Sequence, residues 1–302
     1  MHQVTGQVTL RLYSLFGSVS GRLIRQTGHR VPAIAIAREF DVPVSSVVPW
    51  GVPGGQGEVW RVSHARGIDA VKIFTVPAEP HRIPAEIEAL SRVLHPNVVR
   101  FVGQSAIRVG ADSYKYIRYE FIDGQSLDEA LHVHRPTPSQ LRALGRGILS
   151  GLVALHASSV VHRDLKPMNI VLRSNQWGQP VIIDFGLVRL IDQSTKTVYP
   201  WAHGTWPWMS PEQFAGERAF QRADVFASAI IIYQAGLGRH PFLALNELGP
   251  YPPPNYAQRF GQPIPLTGLS NGVAGVITRC LQPLAVRRPS AAQALDAWNR
   301  LP

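Results

Sequence analysis

Residues 160–172 read VVHRDLKPMNIVL. Val160, Val161, Ile170, Val171 and Leu172 favour burial, yet His162, Arg163, Asp164, Lys166 and Asn169 place five polar or charged groups in the eight positions between them. Charge taken out of water without a partner is costly. A chain that buries these flanks is not expected to crowd this much charge between them without a use.

The rest of the sequence supplies two kinds of surroundings. Up to about residue 122 the signals are β-like: a strand from Glu58 with Val59 alternating against Trp60, a second run IDAVKIF (68–74), then VVRFVG, QSAIRV and YKYIRYEF with a GADS turn between the last two. One helix interrupts them, opened by Pro84, with Ile87, Leu90, Val93 and Leu94 as its apolar stripe. VPAIAIA (31–37) reads as a strand or a buried patch. Beyond Asp123-Gly124 helices take over. Ser139 is placed to cap one with Leu141, Leu144, Ile148, Leu152 and Leu155 on its inner face. PVIIDFG (180–186) is a buried β-like run, DVFASAIIIYQAG is apolar nearly all round, and Ser290 with Gln293 forms a capping box for a last helix. The expected architecture is α+β and bilobal: an extension over 1–44, then one domain over 45–302. Its β-rich lobe covers about 45–121, a crossing about 120–125, and its helical lobe about 126–302.

Composition narrows the class. Hydrophobic residues at 45% and charged ones at 17% suit a packed core. The net charge is +10, and Arg supplies all but four of the 30 basic residues. No basic block is interleaved with aromatics, so no nucleic-acid partner is expected. The single Cys280 excludes an internal disulfide and reads as a core residue; no apolar run reaches the ~18–20 residues of a membrane span. The absence of a signal-peptide core leads us to expect a cytoplasmic protein.

HRDLKPMN (162–169) resembles the catalytic loop of eukaryotic-type serine/threonine protein kinases, and other signatures follow in that family's order from about residue 48 onward. The resemblance implies a bilobal fold and transfer of the γ-phosphoryl group of Mg-ATP (or Mn-ATP) to protein hydroxyls. It implies that Asp164 faces the substrate hydroxyl, that Lys166 reaches the transferring phosphate, and that Asn169 and Asp184 of DFG hold the metal. Lys72 of AVKIF resembles the phosphate-binding lysine, with Glu86 as its ion-pair partner and Glu88 on another side of the helix. The glycine-rich pattern places Val52, Gly54 and Gly57 at the glycine positions, with Gly55 also free to approach phosphates. Val52 stands where the family has glycine, which puts loop geometry in question.

Val59, Ala70 and Val171 would line the nucleotide site. Tyr119 would be the gatekeeper, and Glu120, Phe121 and Ile122 the hinge that binds adenine. Leu90, His162 and Phe185 would stack between the lobes. SPE (210–212) resembles the APE motif, Glu212 pairing with Arg288, and Asp224 resembles the aspartate that braces the catalytic loop. Thr205, with Lys166, favours Ser and Thr acceptors over Tyr. Trp201, Trp206 and Trp208 would either dock substrate or pack the loop that carries them. A phosphate on Ser194, Thr195, Thr197 or Tyr199 would pair with Arg163. Two other readings stand beside this one: a nucleotide-binding pseudokinase or scaffold, motivated by Val52 and the unassigned N-terminal segment, and a small-molecule phosphotransferase, which GT…SPE and Asp224 argue against.

Overall fold

The computed structural model describes residues 29–50, 57–75, 82–185, 189–190, 206–262 and 264–302. Expectations for Val52, Gly54, Gly55, Ser194, Thr195, Thr197, Tyr199, Trp201 and Thr205 lie outside the described residues.

Helix α1 (Ala33–Phe40) precedes β1 (Val47–Pro49), β2 (Glu58–His64) and β3 (Gly67–Ile73); α2 (Arg82–Ser91) leads to β4 (Phe101–Val109) and β5 (Asp112–Glu120). The five strands form one antiparallel sheet in the order β1-β2-β3-β5-β4. Alternation gives it two unlike faces. Trp60, Val62, Val71, Ile73, Ile107 and Tyr116 are buried on one face with Ile36 and Ala37 of α1. The opposite face carries Ala70, Lys72 and, across the strand pair from Lys72, Val59.

VPAIAIA is not a strand: residues 33–37 open a helix, and Val31, Ile36 and Ala37 make the buried patch that was the other expectation. Three alanines favour a helix, and AIAIAREF buries Ile36 and Ala37 while leaving Ile34 exposed. The helix attributed to Pro84 begins two residues earlier at Arg82 and stops at Ser91, which leaves Leu94 exposed rather than on the apolar stripe; Leu90 and Val93 are buried. VVRFVG and QSAIRV are not separate strands. Phe101–Val109 is continuous across a register shift near Phe101 and Gly103, and Val98 makes only an isolated bridge to Ile182.

After β5, α3 (Leu127–Val133) and α4 (Pro138–Ala157) lead into β6 (Val160–Val161), β7 (Ile170–Leu172), β8 (Pro180–Ile182) and β9 (Arg189–Leu190). Then come α5 (Pro211–Phe214), α6 (Gln221–Leu237), α7 (Tyr256–Arg259), α8 (Asn271–Cys280) and α9 (Ala291–Asn299). Thr137, not Ser139, caps α4: its hydroxyl accepts from Gln140 N–H and Pro138 takes the first turn, where a missing N–H costs nothing. The five apolar residues expected on its inner face are all buried. α6 is buried nearly all round, and the Ser290–Gln293 box opens α9.

The lobes join where residues 97–99 lie against β8. Ile182 N–H donates to Asn97 O and Val99 N–H to Ile182 O, each at 2.9 Å. Gly151 of α4 allows this approach, since a Cβ there would sit 2.9 Å from Asn97 O.

Candidate active site

Lys72 stands on the inner face of β3, 9% exposed. Its ammonium donates to Glu86 Oε1 (3.0 Å) and Oε2 (3.3 Å) and to Asp184 Oδ1 (2.9 Å). Burial works to lower its pKa, but the Asp184 and Glu86 carboxylates outweigh that and hold it well above the ordinary lysine value. Asp184 mirrors this: burial works to raise its pKa, and Lys72 beside it keeps the carboxyl well below the usual range. Glu86 is fully buried and takes a further bond from Tyr119 O–H at 2.5 Å. Burial first, then Glu86, keeps that phenol protonated and able to donate. Glu88 turns outward to Arg92, one turn on.

The second half of the site is the segment between β6 and β7. Asp224, 1% exposed in α6, accepts from His162 N–H (2.9 Å), Arg163 N–H (2.8 Å) and His156 Nε2 (2.9 Å). Burial alone would raise the Asp224 pKa, yet His156 and, after it, His162 and the Arg163 backbone bond hold it down. Arg163 has φ 68°, a left-handed conformation uncommon outside glycine. Two anchors hold it there: the Asp224 bond, and Gln213 Nε2, which donates to Arg163 O at 2.9 Å. His162 accepts Asp164 N–H at Nδ1 (3.3 Å) and offers Nε2–H to Ile183 O (3.0 Å), with its ring 5.1 Å from Phe185. Leu90, His162 and Phe185 are all buried, as the stacking expectation requires.

Asp164 is 6% exposed. Lys166 Nζ donates to its Oδ2 at 2.9 Å, and Asn169 Nδ2 donates to its carbonyl (2.8 Å) and Oδ2 (3.2 Å). Among the described residues, Asp164 Oδ1 is buried without a hydrogen-bond partner. Asp184, the residue that Lys72 reaches, also has a left-handed backbone (φ 59°), and its neighbour Ile183 donates N–H to Asn169 O at 2.9 Å. Lys72, Glu86, Asp164, Lys166, Asn169 and Asp184 therefore form one linked polar constellation from four elements. Among the described residues no group of three or more His, Cys, Asp or Glu gathers as a metal cage.

Ala70 and Val171 pack half-buried against the main core, and Ile122 is buried in it. Gly57 sits at the mouth of β2 with φ 150°; a Cβ there would lie 2.0 Å from Ile73 O, so glycine alone fits. Glu120 is tied to Arg100 N–H (3.0 Å) and Arg173 (3.3 Å), and Phe121 packs edge-on to Trp50 at 4.8 Å. Arg288 clasps Glu212 with two bonds of 2.7 Å. Trp206 and Trp208 are buried, so they pack their loop onto the lobe. Cys280 is buried and its thiol is pushed up to about 12 by burial.

His156, Gln213 and the Tyr119 phenol were missed as structural partners of the site. Gln213 had a signal, because Ser210 and Gln213 form a capping box right after the loop. His156 is a lone histidine near a helix end and had none.

Comparison with known proteins adds the family. A sequence profile described as "Protein kinase domain" matches residues 53–298. The chain is 29% identical to serine/threonine-protein kinase PknH of Mycobacterium tuberculosis over 67% of its own length and 34% of that protein's. It is 31% identical to the probable serine/threonine-protein kinase PkwA of Thermomonospora curvata, over 80% of this chain and 32% of the relative. For serine/threonine-protein kinase pkn3 of Myxococcus xanthus the values are 30%, 81% and 47%. The chain thus spans less than half the length of these relatives.

Proposed function

Since this chain belongs to the protein kinase family, we propose that it transfers the γ-phosphoryl group of Mg-ATP to Ser and Thr hydroxyls of protein substrates, itself included. Membership implies ATP with a divalent metal and a protein substrate. Magnesium fits the donor chemistry: it takes hard oxygens and is held by one or two carboxylates plus nucleotide phosphates, and Asn169 and Asp184 offer such oxygens. Manganese takes the same donors.

The observation that carries the reading is the paired state of Lys72 beside the unpaired state of Asp164 Oδ1. An ammonium held between two carboxylates is a fixed positive charge for the α and β phosphates. A buried carboxylate oxygen without a donor is positioned to take a hydroxyl proton. Lys166, already bonded to Asp164 Oδ2, lies where it can balance charge growing on the transferred phosphoryl oxygens. Asp224 and Gln213 keep the strained Arg163 backbone in place, so the carboxylate needs no rearrangement before reaction. The divalent ion, when bound, neutralises the phosphate oxygens.

The test separates binding from chemistry. Asp164→Asn keeps the shape of the site and removes the proton acceptor. It should still be stabilised thermally by Mg-ATP, because ligand binding shifts unfolding whether or not turnover follows. Its transfer rate should fall by about 10² to 10⁴. An unchanged rate would remove Asp164 from this role. Wild type that gains stability from Mg-ATP and transfers nothing would favour the scaffold reading.

A further inference from the structure

Residues 29–41 precede the segment matched by the family profile, yet they are wired into the nucleotide half of the site. Glu58, the first residue of β2, is 2% exposed. Its Oε1 accepts Arg30 N–H at 2.5 Å, and its Oε2 lies 3.2 Å from both His29 Nδ1 and Trp60 Nε1–H. The Arg30 guanidinium donates to Thr75 O at 2.7 Å. The His29 ring packs on Trp60 at 4.5 Å, and Val31 and Ile36 are fully buried in the same cluster as Trp60, Val62, Val71 and Ile73.

Two positions make this more than lobe packing. Glu58 directly follows Gly57, whose backbone closes onto Ile73 O, and Glu58 pairs with Ile73 across the sheet. Thr75 lies three residues beyond Lys72, just past the end of β3 at Ile73. Two adjacent residues, His29 and Arg30, therefore bridge the strand ends that present Gly57 and Lys72. A carboxylate this buried has no water to replace its donors, so its place depends on the segment that supplies them.

We propose that His29 and Arg30, acting through Glu58 and Thr75, are positioning residues for the nucleotide. They fix the spacing of the β2 and β3 ends, and nucleotide affinity depends on this clamp. The proposal rests on the kinase reading, because it takes ATP as the ligand.

The experiment uses the full chain and its Arg30→Ala, Arg30→Lys, Glu58→Gln, Arg30→Ala/Glu58→Gln and Glu39→Ala variants. It measures the Kd for Mg-ATP, the KM for a protein acceptor and the thermal midpoint. Glu39 accepts Tyr116 O–H at 2.9 Å at the far end of α1 and serves as the stability control. The clamp predicts that Arg30→Ala and Glu58→Gln each weaken Mg-ATP binding roughly 5- to 20-fold, the usual scale of site coupling. The double variant should be no worse than the weaker single one, since neighbours in one network are not additive. Arg30→Lys should restore most of the affinity, the acceptor KM should not move, and Glu39→Ala should lower the midpoint alone. An unchanged Kd in Arg30→Ala overturns the clamp, and so does a Glu39→Ala loss as large as that of Arg30→Ala. If Glu58→Gln does not fold, the Arg30→Ala and Arg30→Lys pair decides. Wild type that fails to bind Mg-ATP sinks the kinase reading itself, whereas intact binding in every variant sinks only the clamp.

Discussion

At the level of single residues, the buried carboxylates of the candidate site differ in how fully they are hydrogen-bonded. Glu86 receives Lys72 and Tyr119 and Asp224 receives three donors, whereas among the described residues Asp164 Oδ1 is buried without a hydrogen-bond partner. The Tyr119 phenol is the least expected member, because a bulky aromatic at that position reads as a wall rather than a donor. Tyr119→Phe keeps the wall and removes the bond. A hydrogen bond to a charged group is worth about 1.5–3 kcal/mol, so stability should fall by that order in chemical denaturation. The apparent KM for ATP should rise, because Glu86 then holds Lys72 less firmly. Equal stability and equal KM would show that the phenol contributes nothing. Asp164 was legible because charge set between apolar runs has few innocent explanations, whereas Glu86, Tyr119 and Asp224 were singled out only by the family resemblance. What could not be read was partnership: nothing near His156 or Tyr119 announces Asp224 or Glu86.

Among the elements, α1 and α3 misled, whereas α4, α6 and the nine-residue α9 did not. α4 and α6 carry enough residues for periodicity to stand out, and both expectations held apart from the cap at Thr137. There Pro138 in the first turn was the overlooked signal. α3 spans only seven residues and was not expected, although Ser126 and Glu129 form a capping box. α1 alternates Ala and Ile, a pattern that resembles a strand, and alanine propensity with one-sided burial decided it. The packing of α4 against residues 97–99 gives a direct test. Gly151→Val forces a branched side chain against Asn97 O and Ile182, and overpacking of this kind costs about 1–3 kcal/mol. A drop of that size in unfolding free energy is expected, whereas a neutral result would mean that the lobes separate freely at this contact.

For the whole molecule, the two-lobe α+β architecture was readable from the change of character near residue 122. The contribution of residues 29–41 was not, since their signal lies in what they touch. One pH effect also belongs to this scale. His240 in the helical lobe is 4% exposed, offers Nε2–H to Pro207 O (2.8 Å) and accepts Phe242 N–H at Nδ1 (3.1 Å). Burial lowers its pKa to about 4. The unfolded chain takes up this proton near pH 6.5 and the folded chain only near 4, so stability is full above about 6.5 and declines as pH falls toward 4. The loss by pH 4 is on the order of 3 kcal/mol. His240→Gln should flatten that acid limb in melts from pH 7.5 to 4.5, and an unchanged slope would show that His240 does not govern it.

Incubating the purified chain with [γ-³²P]ATP, Mg²⁺ and casein or basic protein, then identifying the labelled amino acid after acid hydrolysis, reaches the account's core. Label in phosphoserine or phosphothreonine is the predicted result. Folded, ATP-binding protein that labels no acceptor with either Mg²⁺ or Mn²⁺, or that labels only tyrosine, would contradict it.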